Sequence, residues 1–411
     1  MAFEPLAATR RDGRVGRTVS ATTVDVLVAG AGPAGSALAA RLAQAGASVL
    51  LVEASAHPRP KACAEYASPR IVEELARLSV GPEWIELAVP LDGMDLHAGG
   101  RMIPIRYADG RKPRSAWGVD RRTFDAMLAR HAVERGALLM ERARVASLVT
   151  EGGRVRGARV RDVASGDATE VRAEWIVGAD GTRSTISRLV GVDRPVRFPR
   201  RLGLVAHYEG IAELADHGEM HVGPDWYVGL APTPGGELNV GMALPLDRAA
   251  AGTSAGRFEA AIAALPAVAR RLSGVGRISP IRGAAPIGHR VARAAGPGWL
   301  LIGDAAGFVD PFTGEGIHRA LRSARAAADA ILGAGDVAAA YARERRRAFA
   351  AKAVLSWLVQ GVLASPGLMA RAVERLEARP SAALRLGSAL GDCRPATDAL
   401  SPRALLDVLA P

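Results

Sequence analysis

Two kinds of hydrophobic pattern divide the chain. Residues 24–28 form a short apolar run, followed by Gly30-Ala31-Gly32-Pro33-Ala34-Gly35 and an Ala/Leu-rich stretch at helical spacing that ends near Gly46. A second apolar run over 48–52 ends at Glu53. Strand, tight turn, helix and strand in that order make a βαβ unit, which predicts the start of a doubly wound parallel sheet. Residues 121–136 (RRTFDAMLARHAVERG) carry a helical pattern with a glycine stop, and 299–302 is another apolar strand leading through a glycine-rich turn into a long Ala/Arg helix near Gly333.

Between these segments the period shortens. Residues 91–107 alternate around Gly99-Gly100, 144–177 read as a meander with turns at Gly152-Gly153 and Ser165-Gly166, and 202–244 are strand-rich with a turn at Pro234-Gly235-Gly236. The strand-rich tracts interrupt the βαβ material with no linker and no fixed repeat, which predicts two interleaved domains. The expected architecture is α/β: a discontinuous Rossmann-like dinucleotide domain (24–90, 108–200 and 291–335), a β-sheet substrate domain (91–107 and 201–290) and a helical C-terminus (336–411). Residues 1–23 carry Arg10 and Arg11 with no apolar run behind them, and are expected to be a disordered tail rather than a secretory signal.

Composition changes this picture little. The 411 residues are 49% hydrophobic, an ordinary globular content, and no apolar run reaches the length of a membrane span. The net charge of +11 would suit nucleic acid, but arginines are scattered through every segment and aromatics are only 4%. Two cysteines, Cys63 and Cys393, form neither a disulfide framework nor a zinc spacing and fit a cytoplasmic location. No metal cluster, nucleophile triad or Walker loop stands out.

The chemistry lies in three motifs. In the first, Gly30 permits the tight turn, Gly32 lets backbone approach a pyrophosphate, and Gly35 lets helix pack on strand. Pro33 and Ala34 open the helix whose N–H groups would face the phosphates, and Glu53 can accept ribose hydroxyls. The second, 175–184, is an apolar strand ending in Asp180-Gly181, which a plain turn would also explain. The third begins at Gly303-Asp304 and continues through Asp310-Pro311-Phe312-Thr313-Gly314-Glu315-Gly316-Ile317. Asp304 is placed for a ribitol hydroxyl, and the helix beginning at Gly314–Gly316 can stabilise negative charge on a reduced flavin.

This ordered trio resembles the fold of the group A flavoprotein monooxygenases, geranylgeranyl reductases and flavin-dependent halogenases, over about residues 24–333. The resemblance implies FAD as cofactor, Arg121 touching it from an Arg-x-x-Phe-Asp-x-x-Leu helix, and Pro311 with Gly314 to Ile317 lining the ring. Ala54 and Val145 join the expected cofactor contacts. The segment Lys61-Ala62-Cys63 is similar to the Lys-x-Cys of the reductase and halogenase branch, but Ala-Glu-Tyr follows where the reductases carry glycine. The tract 225–232 lacks the tryptophan signatures of both reductases and halogenases, and no lysine sits in it.

Cys63 is either a thiol working at the flavin or a small buried residue. Glu65 and Tyr66 could face substrate, although a loop carboxylate is more often solvated. His318 could donate a proton or simply pack; His221 and His289 carry less. The apolar stretch 353–363, with Met369 nearby, reads as the core side of a helical cap, or as a lid or interfacial surface for a greasy substrate, leaving peripheral membrane contact open. The expected function is NAD(P)H-linked monooxygenation of a hydrophobic small molecule of secondary metabolism, such as a polyketide, aromatic or isoprenoid. The alternative is reduction of a carbon–carbon double bond. Halogenation and a flavin electron carrier without turnover of its own rank below both.

Overall fold

The computed structural model describes residues 22–211, 214–246 and 252–409, so the expected N-terminal tail lies almost wholly outside the described residues. Its first sheet is built around Thr22–Ala29, which runs parallel to Val49–Val52 on one side and to Ala168–Gly178 on the other. Leu138–Met140 extends the sheet beyond Val49–Val52, and Trp299–Leu301 pairs in parallel with the end of Ala168–Gly178. The first half of that long strand continues as an antiparallel meander with Arg154–Asp162 and Ala143–Glu151.

Helix Pro33–Gln44 starts with proline at its first turn and buries nine residues, most of them alanine or leucine. Small side chains let it sit close to the strands beneath. Helix Arg121–Glu134 is capped by the Asp120 carboxylate, which accepts the Arg122 N–H, and stops before Gly136 at φ +104°. Helix Pro33–Gln44 packs against both Arg121–Glu134 and Gly316–Leu332 within one apolar core that includes Leu38, Phe124, Leu300 and Leu321.

The second sheet runs in the order Gly276–Arg277, Arg201–Glu209, Glu237–Pro245, Tyr227–Thr233, Gly218–Val222, Met94–Ala98, Arg101–Ile105. A parallel register, His221 opposite His97, joins strands separated by more than a hundred residues of chain. The stretch 201–290, expected to be β-sheet throughout, also holds two helices, Ser254–Ala263 and Pro266–Leu272. Thr253 caps the first by accepting the Gly256 N–H, and Phe258, Ala261 and Ile262 turn one face inward at helical spacing. Those residues close the outer face of the sheet together with Leu204, Val240 and Met242.

The opposite face carries Met220, Tyr227 and Ala243, with Tyr66 of the short strand Tyr66–Ala67 in the same apolar cluster. It packs against Phe312 and against Leu363, Met369 and Val373 of helices Val337–Leu363 and Pro366–Glu377. This apolar layer lies between the sheet and the third sequence motif. No single helix among the described residues is long and apolar enough to cross a membrane.

Candidate functional site

The three motifs meet at one place. Gly30 has φ +102°, and a Cβ there would lie 2.5 Å from the Ala179 carbonyl oxygen and 2.9 Å from Asp180 Cα. A Cβ on Gly35 would lie 1.8 Å from the Gly30 carbonyl oxygen, so helix and turn touch backbone to backbone. A Cβ on Gly303 would come within 3.0 Å of Ala34 Cβ. The parallel pairing of strands ending at Ala29, Gly178 and Leu301 delivers all three loops to the same sheet edge, where open α/β sheets bind ligands.

Around the first loop, Glu53 accepts the Ala31 N–H at 2.9 Å and the Ser55 N–H at 3.1 Å. Ala54, between them, is exposed. Helix Pro33–Gln44 has no side-chain cap at Gly32, which leaves its first-turn N–H groups facing outward. Arg59 was not singled out by sequence, because its segment has no helical or strand pattern. It pairs with Glu53 at 3.3 Å and approaches Asp125 at 3.8 Å, with Nη2 3.6 Å from where a Gly32 side chain would begin.

Asp180 Oδ2 accepts the Thr185 and Ile186 N–H groups at 2.6 and 3.2 Å. Its other oxygen is buried without a protein partner, and burial raises the carboxyl pKa. An orphaned acceptor and an uncapped helix start beside a guanidinium are what a diphosphate with hydroxyls would satisfy. The residues therefore fit FAD. Gly181 (φ +77°) has open space where a side chain would stand, Asp304 is half-buried in the third loop, and Val145 lies on the strand whose Ala143 N–H binds the Glu53 carbonyl.

Lys61, Ala62 and Cys63 lead into a buried junction between the sheets. Cys63 Sγ accepts hydrogen bonds from Arg121 Nη1 at 3.2 Å and from the Glu65 N–H at 3.4 Å. Arg121 also makes a two-pronged pair with Asp125, both contacts 2.8 Å. Burial disfavours the guanidinium charge, but Asp125 and Cys63 outweigh it and hold Arg121 protonated beyond its ordinary range.

The expectation of a solvated Glu65 is corrected: the carboxylate is 2% exposed. It accepts the Arg121 N–H (3.1 Å), an Asn239 Nδ2 donor (3.0 Å) and His207 Nε2 (2.7 Å). Three polar partners replace the water it loses. Neither His207 nor Asn239 was legible as a partner, since strand register decides their neighbours. Tyr66 lies between Gly314 and Gly218; a Cβ on either would come within 2.8 Å of its ring. Its hydroxyl is 2.8 Å from that of Tyr107. Burial and the second phenol push the Tyr66 pKa well above ordinary, and Tyr107 is pushed up to about 12.

In the third motif Asp310 receives Arg201 Nη1 and the Tyr227 hydroxyl, each at 2.6 Å, tying the second sheet to the loop. Pro311 starts a short turn, Thr313 Oγ1 is buried without a protein partner, and Gly314 is left-handed at φ +66°. Helix Gly316–Leu332 begins without a side-chain cap, with Ile317 buried behind it. Glu315 pairs with Lys352 at 3.1 Å, and Lys352 with Asp392 at 2.9 Å. His318 Nδ1 donates to the Asp392 carboxylate (3.0 Å), so its ring faces this ion cluster. Burial opposes the Asp392 charge, but Lys352 and His318 depress its pKa strongly.

Sequence showed no metal cluster, yet the fold brings His97, Glu219 and His221 together. They lie on the sheet face opposite Met220, where Arg271 already binds one Glu219 oxygen at 2.6 Å. His289 pairs through its backbone with Phe308 of the third motif, both bonds 2.8 Å, and its ring nitrogen Nδ1 lies 3.6 Å from Asp193.

Sheet, loops and donor set define a dinucleotide-binding flavoprotein. Residues 23–355 match the family model described as FAD binding domain, and the chain belongs to that family. It is an FAD-dependent oxidoreductase. It is 31% identical over 329 residues to a menaquinone reductase of Mycolicibacterium smegmatis, covering 76% of this chain and 78% of that one. It is 30% identical over 334 residues to a digeranylgeranylglycerophospholipid reductase of Methanosarcina mazei, covering 76% and 77%. Among solved structures, a myxobacterial chondrochloren halogenase shares 27% identity at TM-score 0.72, with 79% of each chain covered. A geranylgeranyl bacteriochlorophyll reductase-like protein of Thermoplasma acidophilum shares the fold at TM-score 0.77, 22% identity, covering 95% of this chain and 97% of that one.

Proposed function

We propose that this protein reduces a carbon–carbon double bond of a polyisoprenoid lipid, taking electrons from NAD(P)H. The observation that carries the proposal is the similarity, along three quarters of the chain, to reductases whose names specify a menaquinone and a digeranylgeranyl lipid. It turns the balance from the hydroxylation favoured by sequence to the reduction ranked second. Bound FAD would supply the hydride.

The chain's own residues support that chemistry in three ways. Arg59, the first-turn N–H groups of Pro33–Gln44, Asp180 and Asp304 would hold the cofactor. The apolar layer of Leu96, Ile103, Met220, Phe312 and Met369 excludes water and suits a hydrocarbon chain. Adding hydride to a double bond also requires one proton. Tyr66 keeps its proton at neutral pH, sits against Gly314 of the third motif, and can be replenished through Tyr107. We assign it as the proton donor; Cys63, fixed by Arg121, is the residue that positions the loop beside it.

The test is a single turnover without oxygen. Photoreduced holoprotein mixed with a digeranylgeranyl lipid, which has no quinone ring to take the electrons, should regain its oxidised flavin spectrum in proportion to lipid added. A spectrum that stays reduced under those conditions overturns the proposal.

A further inference from the structure

Over its second half, helix Val337–Leu363 buries polar side chains beside Leu355 and Leu363 and turns apolar ones outward. The residues facing the protein include Lys352, Ser356 and Gln360, which are 7%, 6% and 1% exposed. Lys352 is held by Glu315 and Asp392, and the Gln360 side-chain carbonyl accepts Arg201 Nη1 at 2.6 Å. The residues facing out are Val354, Trp357, Leu358 and Gly361, spaced i, i+3, i+4, i+7. Val354 is 52% exposed, Trp357 41% and Leu358 39%. A globular helix ordinarily places these two sets the other way round.

The apolar surface continues past this helix. Phe198 (47% exposed) stacks on Trp357 with ring centroids 6.4 Å apart. The next helix, Pro366–Glu377, leaves at a bend of 112° and begins with exposed Pro366, Gly367 and Leu368. No Asp, Glu, Lys or Arg occurs between Lys352 and Arg371. The borders are basic: Arg343, Arg346 and Arg347 lie exposed on the same helix stripe, Arg197 beside Phe198, and Arg371 at the far end.

We infer that this face docks on an anionic lipid bilayer. The occupant follows from the pairing of an aromatic and aliphatic centre with an arginine border. The centre would enter the acyl boundary and the border would meet acidic headgroups. A second copy of this chain would bring the same arginines against each other. The bilayer reading rests on the proposed function only for its purpose: Leu363 and Met369, on the inner sides of these two helices, already belong to the apolar layer over the flavin loop. A lipid substrate could therefore pass from bilayer to site without crossing water.

The experiment is flotation of the full-length flavin-loaded protein with vesicles, using equal parts phosphatidylglycerol and phosphatidylcholine against phosphatidylcholine alone. Wild type should float with the anionic vesicles, less with neutral ones, and less as salt rises. Trp357→Glu with Leu358→Glu should reduce the floating fraction by about tenfold or more, and Arg346→Glu with Arg347→Glu should abolish the preference for acidic lipid. An unchanged flavin spectrum in each variant shows that it has folded. Variants that float like wild type overturn the proposal. So does a wild type that ignores vesicles and instead dimerises through Trp357 in sedimentation equilibrium. Flotation reads docking whether or not lipid is reduced, so its failure is separable from failure of the proposed reaction.

Discussion

Glu65, in a left-handed backbone conformation at φ +56°, accepts a 2.7 Å hydrogen bond from His207 Nε2 across the junction of the two sheets. One residue of the flavin-side loop is thereby fixed to the second strand system, and Cys63 and Tyr66 on either side of it inherit that position. That bond raises the His207 pKa above the ordinary histidine value, against the opposing effect of burial. A group raised in the folded state contributes fully below its unfolded pKa, about 6.5, and loses that contribution as pH climbs through the folded value. The stability lost in His207→Gln, measured by urea denaturation, should be largest near pH 6 and smaller near pH 9 (~ values set by the unfolded pKa). A difference that grows with pH would contradict the pairing.

Tyr66→Phe removes one oxygen from a buried pair and leaves the ring between Gly218 and Gly314. Lipid reduction should fall by about a hundredfold, the scale of a general acid, while NAD(P)H still reduces the flavin at its normal rate. Stopped-flow absorbance separates the two half-reactions. An equal loss in both would mean that the phenol only supports the loop.

Arg59→Ala should lower FAD affinity by about tenfold, the scale of one charge-assisted hydrogen bond. Flavin fluorescence released on dilution measures it. The deficit should narrow at high salt, because the missing group acts through charge. Unchanged affinity would place Arg59 in the Glu53 and Asp125 pairs alone.

Arg201 and Asp310 form a buried pair, their side chains 6% and 1% exposed. Asp310→Ala leaves the guanidinium and the Tyr227 hydroxyl without their shared acceptor. Breaking such a pair should cost about 3–5 kcal/mol in unfolding free energy. Arg201→Met with Asp310→Leu should recover much of that loss, and a double variant no better than the single would show that the pair does more than satisfy itself.

Much of the first sheet was legible because a βαβ unit carries its own punctuation. Gly30, Gly32 and Gly35 are required by backbone contacts that any such loop must make, and Gly136 and Gly99-Gly100 fall where strands and helices must turn. What stayed hidden depends on register. Nothing local says that Glu65 is buried, because its partners His207 and Asn239 are over 140 residues away. Helix Ser254–Ala263 was submerged in a tract dominated by strands. The apolar stretch 353–363 left both the inner side of a cap and an interfacial surface open. Its spacing was visible, but which face pointed outward was set by Arg201 and Asp392, from distant segments.

The central claim, reduction of a polyisoprenoid double bond, is tested most directly by the mass of the product. Flavin-loaded protein, NAD(P)H and an unsaturated menaquinone incubated without oxygen should yield, after any quinol has been reoxidised to the quinone, a lipid still heavier by two hydrogens, with one NAD(P)H consumed per double bond lost. A product that forms only in air and is heavier by one oxygen would contradict the account and return the protein to the hydroxylases.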